Sequence, residues 1–200
     1  MRIDHLRESL ANKERREAIS KLFDGREILT LRSRKEGGRF LGGESKRVEL
    51  IQRFVEESKP KFVDVELSSL EHDEKLRSAL AEAAGTTGVI ASTHLNHTPS
   101  TSVLEKIAGR SPDFVYATKI VCEARSVDDN SKVLSLYRSQ KPGREEGKKL
   151  IAFCMGPLGI FSRIACISLG SPLTYASLPN RGVARGQLDA LTMNQLLAKI

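Results

Sequence analysis

Phe114–Val121 (FVYATKIV), Ser126–Ser139 (SVDDNSKVLSLYRS) and Leu150–Met155 (LIAFCM) follow one another along the chain. The first and third are short apolar runs rich in β-branched and aromatic residues, the length of buried strands. The segment between them is longer and charged, with apolar residues at helical spacing. Strand, helix and strand in that order imply a right-handed crossover and parallel strands.

The same rhythm extends in both directions. Strands are predicted at Ile28–Arg32, Phe62–Leu67, Val89–Thr93 and Leu173–Ser177, with a very short one at Met1–Ile3. Helices are predicted at His5–Leu22, Glu44–Ser58, Glu71–Ala84, Ser100–Ala108, Gly159–Leu169 and Gln187–Ala198. An open doubly wound sheet and a (β/α)8 barrel both show this alternation. Seven units without a glycine-rich phosphate loop favour the barrel. Gly37-Gly38 and Gly42-Gly43 lack the G-x-G-x-x-G spacing and open no helix, so they read as a flexible loop. A chain of 200 residues supports one sizeable core, so a single catalytic domain over 1–200 is predicted.

A barrel carries its chemistry at the C-terminal ends of its strands. Arg32 ends one strand, Glu66 ends the next, and His94 directly follows a third. Lys119 lies near the end of FVYATKIV, flanked by Ile120 and Val121. Met155 closes LIAFCM, and Arg163 follows. An ammonium inside an apolar strand is costly and so informative, although Lys119 alone reads equally as a lysine snorkelling from a strand end.

Composition narrows the classes. The net charge is +7, but the basic residues are scattered, and Asn12–Glu17 mixes both signs as a solvated helix face does. Three tyrosines and no tryptophan offer few platforms for stacking bases, so nucleic acid is not an expected partner. Positive charge equally attracts small carboxylates. No apolar stretch is long enough to span a bilayer, and no secretory signal follows Met1. Cys122, Cys154 and Cys166 are odd in number and form no C-x-x-C, which suits reduced cysteines in a cytoplasmic protein. His94 and His97 lack a convincing third ligand for zinc, and His5 and His72 read as surface residues.

Several motifs in order resemble the type I 3-dehydroquinate dehydratases of the shikimate pathway of aromatic amino acid biosynthesis. Thr30–Gly38 resembles the family's T-x-R-x-x-x-E-G-G, and Asp64–Leu67 its D-x-E-L strand. Ser92-Thr93-His94 with Thr98-Pro99 is similar to S-x-H…T-P, and Lys119-Ile120 to the K-I of the Schiff-base strand. Met155–Arg163 resembles M-G-x-x-G-x-x-S-R, and Gly170–Tyr175 and Gly186-Gln187 the closing segments. Each match alone is weak; their joint order and spacing are specific.

The resemblance implies a hydro-lyase that removes water from 3-dehydroquinate through a Lys119 imine, with no metal or organic cofactor. The imine spreads the charge of a carbanion formed next to the ketone. The amine must be neutral to attack, and burial and nearby arginines both favour that form. His94 is the implied general acid/base, and Glu36 the carboxylate that orients it. Arg163 is the implied grip on the substrate carboxylate, a task suited to a planar guanidinium. Arg32 and Arg2 resemble residues that bind substrate hydroxyls, and Gln187 belongs to the segment that caps the site. Met155 and Tyr175 read either as pocket walls or as plain core. A homodimer is implied by resemblance alone.

Three departures stand out. Arg2-Ile3-Asp4 fits the family's R-x-D, but Met1 stands one place after its usual glutamate. The barrel is therefore expected to lack its first strand, with a natural product starting upstream or a truncated or mis-started chain. The closing loop reads Ala184-Arg185-Gly186-Gln187 where the family usually has A-P-G-Q, and Val183 replaces a common serine. These changes put loop closure and one substrate contact in question. Phe153 occupies a frequent methionine position, a tolerable apolar swap. The rivals are another imine-forming barrel of aldolase type, and a decayed barrel acting as a basic binding protein.

Overall fold

The structure, a computed structural model, describes residues 1–139, 148–179, 182 and 184–199. The substitution at Val183 lies outside the described residues. The chain divides into two compact units, one of residues 1–93 with 112–116 and one of residues 94–111 with 117–200.

In the first unit, strands β1 (Ile28–Thr30), β2 (Phe62–Glu66) and β3 (Gly88–Leu95, up to Thr93) pair in parallel and in chain order. Helix α1 (Lys13–Ser20) precedes β1, α2 (Glu44–Ser58) separates β1 from β2, and α3 (Leu67–His72) and α4 (Glu74–Ala83) separate β2 from β3. Leu29, Val63, Val65, Val89 and Ala91 from the strands and Val48, Ile51, Phe54, Leu76 and Leu80 from the helices are all buried.

The predicted helix His5–Leu22 is two elements, a 3-10 stretch Ile3–Ala11 and α1. Asn12 is extended and its side chain accepts from the Arg15 amide at 3.1 Å, which starts a new helix there. Asp73 breaks the predicted Glu71–Ala84 helix in the same way, accepting from the Leu76 amide at 2.9 Å. The predicted strand at Met1–Ile3 reduces to one parallel bridge, Arg2 to Thr30, with the Thr30 amide donating to Met1 O at 2.9 Å. Ile3 already starts the 3-10 stretch, so pairing extends no further.

In the second unit, β4 (Ala117–Glu123) and β5 (Lys149–Met155) run parallel, with Lys119 opposite Ile151. The predicted Phe114–Val121 strand begins three residues late and continues to Glu123. Helices α5 (Thr101–Gly109), α6 (Asp128–Leu134), α7 (Ile160–Ser168) and α8 (Ala190–Leu197) complete the unit. Leu104, Ile120, Cys122, Val133, Ile151, Cys154, Cys166 and Met193 form its core. The three cysteines are free, and burial pushes the Cys122 thiol up to about 12, out of range for thiolate chemistry.

Side chains cover groups of β5 that β4 does not pair. The Tyr137 hydroxyl donates to Ala152 O at 3.1 Å and accepts from the Ala152 amide at 2.7 Å. Ser162 Oγ accepts from the Cys154 amide at 2.9 Å. The predicted strand Leu173–Ser177 is one bridge between Ser177 and Asp189. The Ser177 amide donates to Leu188 O and its carbonyl accepts from Ala190, both at 2.9 Å, so its backbone partner is a local loop.

Candidate active site

Arg32 follows β1 and is 2 % exposed, which few arginines tolerate unpaired. One guanidinium nitrogen donates to Ser92 Oγ at 2.7 Å, and the other to Asp64 Oδ1. Glu66 lies 3.3 Å and Glu36 3.6 Å from it. Burial opposes its charge, but Asp64, Glu66 and Glu36 outweigh burial and hold the guanidinium firmly protonated.

The loop after Arg32 turns back at once. The Gly38 amide donates to Ser33 O at 2.7 Å, and a Cβ on Gly38 would lie 2.0 Å from Arg32 O. This glycine is required by close approach, so the reading of Gly37-Gly38 as a merely flexible loop is corrected. The turn holds Glu36 in a short 3-10 stretch, half-buried. Asp4, with 0 % of its side chain exposed, binds Arg2 at 2.6 and 2.7 Å. It also accepts from the Arg39 amide at 3.0 Å. Burial raises the Asp4 pKa, but Arg2 and the amides of Arg39 and Arg32 outweigh it, leaving the carboxyl below its usual range.

Arg47 was not singled out from the sequence. It is 1 % exposed and lies 2.5 Å from Glu66 Oε2. It also donates to Leu31 O and Glu44 Oε2, both at 2.9 Å. Its position was a readable signal, because Leu50, Ile51 and Phe54 follow at i+3, i+4 and i+7 on one buried helix stripe.

In the second unit Lys119 is 6 % exposed. Alternation along β4 puts Lys119, Val121 and Glu123 on one face and Ile120 and Cys122 on the other. Lys119 Nζ lies 4.1 Å from the centroid of the Tyr175 ring. That ring is 5.9 Å from the ring of Phe153, and Arg163 Cζ lies 4.6 Å from the Phe153 centroid. Arg163 also donates to Tyr175 O at 3.3 Å. An amine and a guanidinium thus flank one aromatic pair, a geometry that supports cationic groups.

Arg163 is 2 % exposed, and among the described residues it has no ion-pair partner. Its Nε atom is buried without a hydrogen-bond partner. Burial lowers its affinity for the proton, with only the thiols of Cys166 and Cys154 opposing. A carboxylate ligand would satisfy this charge.

His94 lies on the second-unit part of β3, half-buried. Thr98, four residues on, donates to Glu123 O at 3.1 Å, tying the following loop to the end of β4. His97 is exposed beside Asn96. Met155 closes β5, half-buried, and its carbonyl accepts from the Ala124 amide at 3.1 Å. Gln187 is half-buried, and its Oε1 accepts from the Ala184 amide at 3.3 Å. The structure thus groups Lys119, Tyr175 and Arg163 in one unit, and Arg2, Arg32 and Glu36 in the other.

Parallel strands alternating with helices, with a buried amine inside β4 and a buried guanidinium on the helix after β5, define an α/β chain that sets two cationic groups on one aromatic pair. The family model described as Type I 3-dehydroquinase matches residues 1–200, and the chain belongs to that family. The 3-dehydroquinate dehydratase of Thermococcus gammatolerans is 40% identical over 185 residues, covering 90% of this chain and 79% of that protein. The crystal structure of the Geobacillus kaustophilus 3-dehydroquinate dehydratase matches with TM-score 0.85 at 24% identity, over 99% of this chain and 78% of that one. The Aquifex aeolicus enzyme matches with TM-score 0.70 at 30% identity, over 94% and 79%. The fold is the α/β-barrel type expected from the sequence. The family assignment displaces the aldolase-type alternative.

Proposed function

We propose that this chain converts 3-dehydroquinate to 3-dehydroshikimate, with Lys119 Nζ forming an imine at the substrate ketone. The observation that carries this reading is the placement of Lys119 and Arg163 on the Tyr175–Phe153 pair. One group suits the ketone, the other the carboxylate of the same small molecule. Membership of the type I 3-dehydroquinase family supplies the substrate class.

The neutral amine adds to the ketone, and loss of water leaves a cationic iminium. The ring face of Tyr175 favours that cation over the neutral amine. A base then removes a proton from the carbon next to the iminium, and the electron pair is held as an enamine. The enamine expels the hydroxyl on the following carbon as water, with a proton delivered by an acid. Water finally hydrolyses the iminium and returns the free lysine. His94 is assigned both proton transfers on its motif, a role typically worth ~10²–10⁴ in rate. Glu36 is assigned as its orienting carboxylate, Arg2 and Arg32 as hydroxyl contacts, and Gln187, Met155 and Tyr175 as residues around the substrate. On this reading the protein is a cytoplasmic homodimer that needs no cofactor.

Borohydride reduction in the presence of 3-dehydroquinate, followed by peptide mass analysis, tests the reading. A reduced adduct is expected on Lys119. No adduct, or an adduct confined to another lysine, would overturn it.

A further inference from the structure

The segment Ala184–Gln187 carries an arginine that, read from the sequence, loosens it. The structure gives this arginine partners. Arg185 Nη1 lies 2.9 Å from Glu123 Oε1, and Arg185 O accepts from the Gly156 amide at 3.1 Å. Gly186 has φ +67, and a Cβ there would lie 2.2 Å from Gly156 O, so the segment sits directly on the turn after β5. The Arg185 side chain is largely exposed at 75 %, but Glu123 is only 17 % exposed, which strengthens the pair over a fully solvated one. Glu123 is also the residue whose carbonyl accepts from Thr98, and it shares the Lys119 face of β4. On the far side, Ser177 and Leu188–Ala190 pin the segment by two backbone hydrogen bonds.

We infer that Arg185 and Glu123 form an electrostatic latch that fastens the Gln187-bearing segment to the ends of β4 and β5. Both are positioning residues, since neither is assigned to the reacting atoms. The latch holds by charge, so salt weakens it. Its effect on catalysis rests on the proposed dehydration; its effect on the segment does not.

The test therefore reads the segment directly, by amide hydrogen exchange of peptides covering 184–190 in the free protein. Glu123→Gln and Arg185→Gln are each expected to speed exchange about two- to fivefold at low salt. KM for 3-dehydroquinate rises by a similar factor while kcat is held. The double variant Glu123→Arg/Arg185→Glu restores slow exchange and low KM. High salt brings the wild-type protein to the exchange of the single variants. Unchanged exchange in both single variants, or a double variant no slower than they are, overturns the latch. A wild-type protein that fails to dehydrate 3-dehydroquinate yet shows the exchange pattern rejects the proposed reaction and supports the latch. Arg185 is a surface side chain, so its variant is not confounded by folding.

Discussion

The most exacting demands fall on single side chains. His94→Ala is expected to lower turnover by ~10²–10⁴ while still allowing reductive trapping at Lys119. Steady-state kinetics beside mass analysis checks both halves; wild-type turnover would remove His94 from the chemistry. Tyr175→Leu removes the ring beneath Lys119 Nζ. It is expected to cost the iminium ~0.5–2 kcal/mol, a two- to thirtyfold fall in trapping or turnover, whereas Tyr175→Phe keeps the ring and most of the rate. Lys119 was legible because a charge stood in an apolar run. Its aromatic support was not, because Tyr175 is fifty-six residues away and only folding shows which ring meets which charge. Phe153 read as an apolar swap, yet its ring seats the Arg163 guanidinium.

At the scale of elements, α2 is tied to β2 by charge as well as by its apolar stripe. Arg47→Met would leave the Glu66 carboxylate buried without the guanidinium at 2.5 Å. Such a broken buried pair is expected to destabilise by ~3–5 kcal/mol, read as a lower urea midpoint at unchanged slope. The shift would be absent if Arg32 alone neutralised Glu66. Alternation of strands and helices was legible from apolar periodicity, which follows burial directly. The breaks at Asn12 and Asp73 were missed because each interrupts a continuous helical pattern with a single capping side chain. Leu173–Ser177 differs for another reason: it has strand-like residues, but only Ser177 makes ladder-like bonds, to Leu188 and Ala190, while side chains bond the carbonyls of Leu173 and Tyr175.

Over the whole molecule, charge sets the response to pH. In the folded protein Arg2 and the Arg39 and Arg32 amides outweigh burial and hold the Asp4 carboxyl below the ordinary aspartate value of 3.8. In that window the unfolded chain binds more protons than the folded one, so stability falls as pH falls. The Asp4 contribution is thus present above pH 3.8 and lost as pH drops through the depressed value. Asp4→Asn is expected to give a shallower acid limb in chemical denaturation, measured from neutral pH down to about pH 2. An identical limb would mean that other carboxylates carry the acid response. The +7 balance permits a small acidic ligand but cannot locate one. The resemblance of Met155–Arg163 pointed to Arg163, and the fold adds that this arginine is buried without an ion-pair partner among the described residues.

The hydroxyl of Tyr137 has a consequence for how molecules meet. An open strand edge recruits strands from other chains, the first step toward fibrils. Here one phenol occupies both the donor and the acceptor of Ala152, and Ser162 occupies the amide of Cys154. At Ala152 and at the Cys154 amide, β5 offers an incoming strand no free rung. Tyr137→Phe would uncover two rungs in a nearly buried place, at a cost of about 1–3 kcal/mol each if they stay unsatisfied. The expected result is a protein that scatters light on mild warming where the parent stays clear, which makes this phenol a guard against self-templating.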